Sequence, residues 1–226
     1  MKLIKKIFKW TFSLIIGFLL FSLVWVVAYK FINPPITLHM FFRLFEGYGI
    51  DKEWKDYEEI SPYFFKACIG GEDGRFMTHE GVDWKAVEDA KKYNERNAGK
   101  KKRGASTITM QTAKNAFLWQ GRNYVRKAME VYFTYLIEYF WGKKRILEVY
   151  ANIVELGEGV YGVEAASQKF FHKPAINLTS REAALIAAVL PNPIRWSPAK
   201  PTEYIEKRVA FIQGRMGVGI PKRDKK

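Results

Sequence analysis

Residues 72–81 read EDGRFMTHEG, and the rest of the chain is organised around them. The stretch brings two neighbouring carboxylates, Glu72 and Asp73, together with the imidazole of His79. Its glycines let the backbone turn and let a large ligand approach closely. Adjacent carboxylates in such a place are candidates for a general base and for the group that orients it. The alternative is a solvated helix end, which needs no ligand.

The composition predicts a substantial core and a strongly basic surface. The 226 residues suit one sizeable domain with or without an appendage, and 48% of them are hydrophobic. The net charge of +14 favours a polyanionic partner, such as an anionic membrane surface, nucleic acid or a phosphate-bearing substrate. The single cysteine, Cys68, excludes an internal disulfide and a cysteine-based zinc site. Three widely spaced histidines disfavour a histidine metal cluster.

The N-terminus has the pattern of a membrane anchor. Residues 1–9 carry four lysines and residues 10–29 carry no charge, a length that matches the thickness of a bilayer. A cleaved signal peptide is the alternative, but its apolar region is shorter and no small-x-small cleavage site stands near Ala28. Because basic flanks stay in the cytoplasm, everything after the anchor is expected on the outer face. The predicted segments are a cytoplasmic basic segment at 1–9, a transmembrane anchor at 10–29, a domain at 30–221 and a mobile basic tail at 222–226.

Beyond the anchor, the pattern predicts a mainly α-helical domain. Ser61, as N-cap, and Pro62 predict the start of a helix that ends at the two glycines before Glu72, which places Glu72 at an exposed helix end. The acidic stretch 51–59 is interpreted as a solvated linker or a first helix. Further segments are an interfacial or domain-packed stretch at 31–49, a solvated or phosphate-binding basic run at 100–103, and helices at 82–97, from Ser106 or Thr107 to 114, at 124–139, at 144–152 and at 180–190.

Four motifs rich in charged and polar residues follow one another along the chain. They are Glu72-Asp73-x-x-Phe76-x-x-His79-x-Gly81, Gly104-x-Ser106-Thr107-Ile108-Thr109-x-Gln111, Arg126-Lys127-x-x-Glu130 and Lys144-x-Ile146-Leu147-Glu148-x-Tyr150-x-Asn152. Each motif is weak alone, since a pair such as Arg126 and Glu130 is ordinary on a helix surface. All four in this order make a coincidence implausible.

Together with residues 181–193, these motifs resemble the peptidoglycan glycosyltransferase family over residues 55–200, and its monofunctional members most closely. The resemblance implies a mainly α-helical, lysozyme-like glycosyltransferase domain, with a head and a membrane-associated jaw, behind one N-terminal transmembrane helix. It also implies polymerisation of lipid II into β-1,4 glycan strands, with inversion and release of undecaprenyl pyrophosphate. The implied place is the periplasmic side of a bacterial cytoplasmic (inner) membrane. The implied partners are lipid II, the growing glycan strand, membrane lipids and other cell-wall synthesis or division proteins, but no nucleic acid.

The resemblance also implies roles for the residues that match the family's motifs. Glu72 would be the general base and Glu130 the second catalytic carboxylate. The substrate-binding residues would be Asp73, Phe76, His79, Ser106, Thr107, Gln111, Lys114, Arg122, Arg126 and Lys127. The structural residues around them would be Gly81, Gly104, Glu148, Tyr150 and Asn152. No cofactor is required by the sequence, and the need for a divalent cation, Mg²⁺ or Mn²⁺, stays open.

Two positions depart from the family's pattern. Met110 stands where relatives commonly carry a second glutamine, so a polar contact is lost there. Asp89 lies where some relatives carry an arginine toward the donor, and no role is assigned to it. Ser197-x-x-Lys200 has the form of a transpeptidase motif, but its companion motifs are missing and too little chain follows it for that domain.

Two rival functions stay open on the sequence alone. A lysozyme-like or lytic glycan-cleaving enzyme could use a single glutamate in the same way, but it does not need a group of cations near the site. The second rival is a non-enzymatic, membrane-anchored protein whose basic surface binds anionic lipid or nucleic acid, although the outward-facing topology argues against nucleic acid.

Overall fold

The structure, a computed structural model, describes residues 1–99, 102–121 and 123–224. Over these residues it contains nine α-helices, three short strands and two short 3₁₀ turns, which confirms the predicted helical class. The helices are α1 (Lys2–Phe31), α2 (Leu38–Phe45), α3 (Pro62–Glu72), α4 (Trp84–Arg96), α5 (Ile108–Phe117), α6 (Tyr124–Ile153), α7 (Val163–Phe171), α8 (Ser180–Val189) and α9 (Glu203–Gln213). The strands are β1 (Asp51–Lys52), β2 (Glu155–Gly157) and β3 (Val160–Tyr161), and the 3₁₀ turns are Tyr57–Glu59 and Ala175–Asn177.

Helix α1 contains the whole predicted anchor and extends beyond it at both ends. It is long and apolar enough to cross a membrane, and most of its side chains are exposed. In its C-terminal half, Ser22 Oγ lies 2.6 Å from Tyr132 OH, and Trp141 Nε1 donates to the Val26 carbonyl at 2.7 Å. The C-terminal half of α1 is therefore packed against α6 as part of the domain.

Helix α2 follows α1 and has two different faces. His39 and Met40 are buried against the domain, whereas Phe41, Phe42 and Phe45 are exposed. One face of α2 therefore packs against the domain, as one interpretation of residues 31–49 predicted. The other face is apolar and exposed, as an interfacial segment would require.

The glycines before Glu72 do not end α3, so that prediction is wrong. The helix continues through both of them to Glu72. A Cβ on Gly70 would lie 2.9 Å from the carbonyl oxygen of Arg215, and one on Gly71 would lie 3.1 Å from the Ile212 side chain. The two glycines therefore let α3 pack closely against α9 and the turn that follows it.

The segment before α3 contains strand β1 and a 3₁₀ turn in place of the solvated linker or first helix that was predicted, which is a second correction. Strand β1 pairs in parallel with β3, and β3 pairs antiparallel with β2, so the strand order is β1-β3-β2. Tyr57, among the acidic residues of this segment, is buried and stacks on Phe65. Ser61 precedes α3 as predicted, but its hydroxyl donates to the Leu178 carbonyl instead of capping the helix.

Helices α5 and α6 pack along each other and contribute buried side chains to the hydrophobic core. Thr107 caps α5 by accepting a hydrogen bond from the Met110 amide at 3.1 Å, which confirms one of the two predicted caps. Helix α6 joins the two helices predicted at 124–139 and 144–152. It bends at Gly142, whose φ of 72° lies in the left-handed region that favours glycine.

The C-terminal segment contacts the domain next to and within the described part of the predicted tail. Tyr57 OH donates to the Pro221 carbonyl at 2.9 Å, and Lys144 forms an ion pair with Asp224. Residues 225–226 lie outside the part of the chain that the structure describes.

Candidate active site

A cleft of about 760 Å³ opens beside the C-terminal end of α3. Its walls come from the 72–81 segment, α4, the start of α5 and α9. Six of the predicted site residues line it: Glu72, Asp73, Gly104, Ser106, Thr107 and Gln111. The pattern around residue 72 therefore corresponds to a large polar groove.

Glu72 is shielded rather than exposed, which corrects the expectation of a solvated helix end. Its side chain is 16% exposed, because α9 crosses in front of it. Gln111 Nε2 donates to one carboxylate oxygen at 3.1 Å, and Arg208 Nη2 lies 3.5 Å from the other. Burial raises the pKa of the Glu72 carboxyl, and the nearby charge of Asp73 adds to this, while Gln111 and Arg208 act in the opposite direction. The result is a carboxylate that takes up a proton more readily than a solvated one.

Asp73 and His79 fix the segment that follows Glu72. His79 Nδ1 accepts a hydrogen bond from the Gly81 amide at 3.1 Å, so the other ring nitrogen carries the proton and donates to Asp73 at 2.9 Å. Asp73 also accepts from the backbone amide of Ile108 at 3.0 Å. The carboxylate beside Glu72 therefore ties this segment to the first residue of α5.

The end of the segment fits tightly against α6. Gly81 has a φ of 88°, and a Cβ there would lie 2.6 Å from the Thr134 side chain. Its carbonyl accepts a hydrogen bond from the Thr107 hydroxyl. Phe76 is fully buried and meets the His79 ring edge-on. Phe76 and Gly81 therefore shape the segment from inside.

A second charged group lies at the start of α6. Glu130 is 3% exposed, and its two oxygens accept hydrogen bonds from Arg126, at 2.6 Å, and from Lys127. Lys114, on α5, faces the same group, and burial lowers the pKa of its ammonium, with Glu130 opposing this effect. Arg126 Nε is buried, and no group among the described residues forms a hydrogen bond with it. This cation cluster, formed by Lys114, Arg126 and Lys127 around Glu130, has hydrogen-bonding capacity left for an anion.

The predicted catalytic and substrate-binding residues therefore fall mainly into two neighbouring groups. The cleft contains Glu72 and its neighbours, and the cation cluster lies beside it along α5 and α6. Ser106 joins them, since it lines the cleft and accepts a hydrogen bond from Lys127 Nζ at 3.3 Å. Arg122, predicted as a further phosphate ligand, lies outside the described residues, as do Lys100 and Lys101 of the basic run.

Of the other residues predicted as structural, Tyr150 contacts a cleft residue, whereas Asn152 and Glu148 contact residues that do not line the cleft. Asn152 clamps the backbone of Lys55 with two hydrogen bonds of 2.8 Å. Tyr150 OH lies 3.4 Å from the oxygen of the Gln111 amide, on the side away from Glu72. Glu148 forms an ion pair with Arg145 at 3.2 Å. Gly104 lines the cleft, and a Cβ on it would meet nothing within 4 Å, so space alone does not require a glycine there.

The two departures from the family's pattern fall in different places. Met110 is 3% exposed, lies on the buried side of α5 and does not line the cleft. The polar contact that was predicted to be lost there is therefore not one with a ligand in the cleft. Asp89 does line the cleft, on α4.

The C-terminal wall of the cleft was missed by the sequence analysis. Arg208, Phe211 and Arg215 line the cleft from α9 and the turn after it. Arg208 is anchored by a hydrogen bond from Nε to the Ala188 carbonyl at 3.1 Å, and the Arg215 guanidinium stacks 5.0 Å from the Phe211 ring centroid. Arg208 and Phe211 are three residues apart on one face of α9, a signal that the sequence does contain, whereas Arg215 lies in the turn after the helix.

The donor set does not fit a metal ion held by the protein alone. Among residues 1–99, 102–121 and 123–224, no group of three or more His, Cys, Asp or Glu side chains is placed to hold one. Glu130, the carboxylate of the cation cluster, already has both oxygens engaged by cations. A metal ion at Glu130 would have to displace them.

Comparison with known proteins shows the family to which the chain belongs. A family described as Transglycosylase matches residues 40–217. Three curated relatives are named "Biosynthetic peptidoglycan transglycosylase". The one from Rhodospirillum centenum is 48% identical and covers 96% of this chain and 94% of its own length. The relatives from Bdellovibrio bacteriovorus and Caulobacter vibrioides are 49% and 50% identical, cover 95% and 83% of this chain, and are themselves covered over 87% and 81% of their lengths. The chain therefore belongs to the transglycosylase family, whose domain is lysozyme-like.

Proposed function

We propose that this chain joins lipid-linked disaccharides into glycan strands, as a peptidoglycan glycosyltransferase. Its substrate is lipid II, a disaccharide-peptide carried on undecaprenyl pyrophosphate. The observation that carries the proposal is the setting of Glu72, a shielded carboxylate with a raised pKa at the wall of a cleft of about 760 Å³. The names of the relatives support synthesis as the direction of the reaction.

Glu72 acts as the general base. Its carboxylate removes the proton from the 4-hydroxyl of the acceptor sugar while that oxygen attacks the anomeric carbon of the donor. The bond from this carbon to the pyrophosphate oxygen breaks, and its electron pair leaves with the undecaprenyl pyrophosphate. Because attack and departure occur on opposite faces, an α-linked donor gives a β-1,4 bond. Burial assists this step, since a base is most effective when its pKa approaches the working pH.

The cation cluster takes up the charge of the leaving group. A pyrophosphate departs readily when its developing charge is stabilised, so preorganised cations replace an acid. Burial removes water from around the Lys114 ammonium, and a phosphate oxygen would accept the hydrogen bonds that this water would otherwise accept. Glu130 keeps Arg126 and Lys127 together by pairing with both. Ser106 lies between this cluster and Glu72, which suits a substrate that spans them.

The lipid carrier requires the domain to work at a membrane surface. The apolar helix α1 supports an anchor at 10–29, with the basic segment 1–9 in the cytoplasm and the domain at 30–221 outside it. The exposed phenylalanines of α2 face away from the domain close to the end of the anchor. We place the enzyme in the bacterial cytoplasmic membrane with its cleft on the periplasmic side, where membrane lipids and cell-wall synthesis or division proteins are its expected partners.

A glycan-cleaving enzyme is the second candidate, because a glutamate with a raised pKa also suits a general acid. The cation cluster favours the first candidate. Three cations grouped around one carboxylate match a diphosphate leaving group, and the glycosidic bonds of a finished glycan strand have no such leaving group.

The test supplies the full-length protein, in detergent or in liposomes, with lipid II and separately with finished peptidoglycan. We expect strand growth from lipid II, undecaprenyl pyrophosphate as the second product, and no fragments from the finished polymer. Glu72→Gln should abolish strand growth in the same assay. Fragment release without strand growth would overturn the proposal in favour of the cleaving enzyme.

A further inference from the structure

Two separate segments of the chain hold the Glu72 carboxylate. The 72–81 segment carries it at the end of α3, and α5 carries Gln111, whose amide donates to it at 3.1 Å. The relative position of these segments sets the direction in which the carboxylate points. Both segments pass over α6 near its bend at Gly142.

An ion pair on α6 contacts both segments at once. Lys143 Nζ lies 2.6 Å from Glu138 Oε1, donates to the His79 carbonyl at 2.7 Å, and stands 4.5 Å from the centroid of the Phe76 ring. The hydroxyl of Thr109, on α5, donates to the same Glu138 oxygen at 2.7 Å. The two charged side chains are only 19% and 11% exposed, so their attraction is little screened by solvent.

The bend at Gly142 makes this pair possible. Glu138 and Lys143 are five residues apart and would not face each other on a straight helix. With a φ of 72° at Gly142, the chain turns so that Lys143 reaches back to Glu138. A Cβ on Gly81 would lie 2.8 Å from Glu138 Cγ, so the pair lies directly beneath the end of the 72–81 segment.

We propose that Glu138 and Lys143 are positioning residues, which tie the 72–81 segment to α5 and so hold Glu72 and Gln111 in the geometry that proton transfer requires. On one side, Lys143 holds the backbone of His79, whose ring holds Asp73, the neighbour of Glu72. On the other side, Glu138 holds Thr109, two residues before Gln111. This role rests on the proposed function of Glu72 as the base.

The mildest test uses two threonines of α5. Thr109 and Thr112 are both fully buried, but the hydroxyl of Thr112 donates only to the Ile108 carbonyl of its own helix, at 2.9 Å. Replacement of each by valine removes one hydroxyl and keeps the shape. We expect T109V to lower kcat about tenfold with KM within about twofold, and T112V to leave both near wild type, since small misplacements of catalytic groups can cost about 100-fold.

The stronger test removes the charge of the pair. K143M should lower kcat by about 100-fold, and K143R should recover part of the loss because it keeps the charge and the donors. K173M is the matched control, since it breaks a partly shielded ion pair with Glu182 at the other side of the domain. Thermal melting of each variant separates loss of geometry from loss of folding.

Two outcomes would overturn the positioning role alone. One is equal activity of T109V and T112V, and the other is a loss of kcat in K143M that follows its melting temperature as it does in K173M. In both cases E72Q stays inactive. If E72Q keeps its turnover, the base is wrongly assigned, and the proposed function and the positioning role fail together.

Discussion

Glu72 and Glu130 are both withdrawn from water, with side chains 16% and 4% exposed, yet their surroundings are opposite. Glu130 has two cations bound to its two oxygens at hydrogen-bond distance. Glu72 accepts one neutral amide bond and has a single arginine, Arg208, at 3.5 Å. Each oxygen of Glu130 therefore accepts a hydrogen bond from a cation, whereas Glu72 keeps lone-pair capacity toward the cleft.

This difference assigns separate roles to Glu72 and Glu130, which the motif resemblance named together as catalytic carboxylates. A carboxylate engaged by two cations is suited to holding those cations, because a proton would have to displace them. A shielded carboxylate with a raised pKa is suited to taking a proton. We therefore infer that Glu72 performs the proton transfer and that Glu130 organises the cation cluster.

The largest expected effect is at Glu72. Glu72→Gln removes the base and keeps the shape and the contact with Gln111, so turnover of lipid II should fall by about 10²- to 10⁴-fold. The melting temperature should not fall, since no buried charge loses a tight partner. Polymerisation assays and thermal melting of the same preparations check both statements. A variant that keeps more than about a tenth of wild-type turnover would assign the proton transfer to another group.

Glu130→Gln should act on both properties. The substitution leaves Arg126 and Lys127 without their counter-charge, so the free energy of unfolding should fall by about 3 kcal/mol and turnover should fall with it. Urea unfolding in detergent micelles measures the first, and the polymerisation assay the second. If E130Q melts with the wild type while its turnover collapses, Glu130 takes part in the chemistry and the division of roles is wrong.

Lys114 offers an intermediate effect. Lys114→Met should lower turnover by about 10- to 100-fold, the value of a lost hydrogen bond between charged groups. Stability should be unchanged or higher, because burial already disfavours the charged form of this lysine in the folded protein. Parallel measurement of kcat and melting temperature tests this. A drop in melting temperature in proportion to the loss of kcat would make Lys114 a structural partner of Glu130 instead.

Several of the predicted site residues that the structure brings to the cleft were found from local patterns in the sequence. Thr107 was one of two candidate caps before α5, Gln111 was assigned from its place in a family motif, and both line the cleft. Asp73 and His79 lie six residues apart in one segment, so their hydrogen bond needs no distant element. Local spacing therefore determined which of these side chains converge.

The errors all have a distant partner as their cause. Whether Gly70 ends a helix or lets another chain segment approach depends on Arg215, which lies far along the sequence. Glu72 was expected to be exposed because helix ends usually are, but Arg208, 136 positions away, covers it. The basic residues of α9 were missed for the same reason, since they fall outside the motifs and only packing brings them to the cleft.

The smallest expected effect is the pH dependence of stability, and it tests the comparison between the two carboxylates most directly. The folded protein holds a proton on Glu72 at a higher pH than the unfolded chain does, whose glutamates titrate near about 4.3. Wild type should therefore lose stability relative to E72Q as the pH rises from that value through the raised pKa, by about 1.4 kcal/mol for each unit of the shift. Below pH about 4 the two proteins should unfold alike.

Urea unfolding of wild type and E72Q between pH 4 and 8 measures this difference, with E130Q as the contrast. E130Q should be less stable than wild type at pH 7, where E72Q should be equally or more stable, because the first loses two cationic partners and the second loses a buried charge. If E72Q is also the less stable protein at pH 7, the contacts from Gln111 and Arg208 outweigh burial. Glu72 would then be a carboxylate held in its charged form, as Glu130 is, and a weaker base than its surroundings indicate.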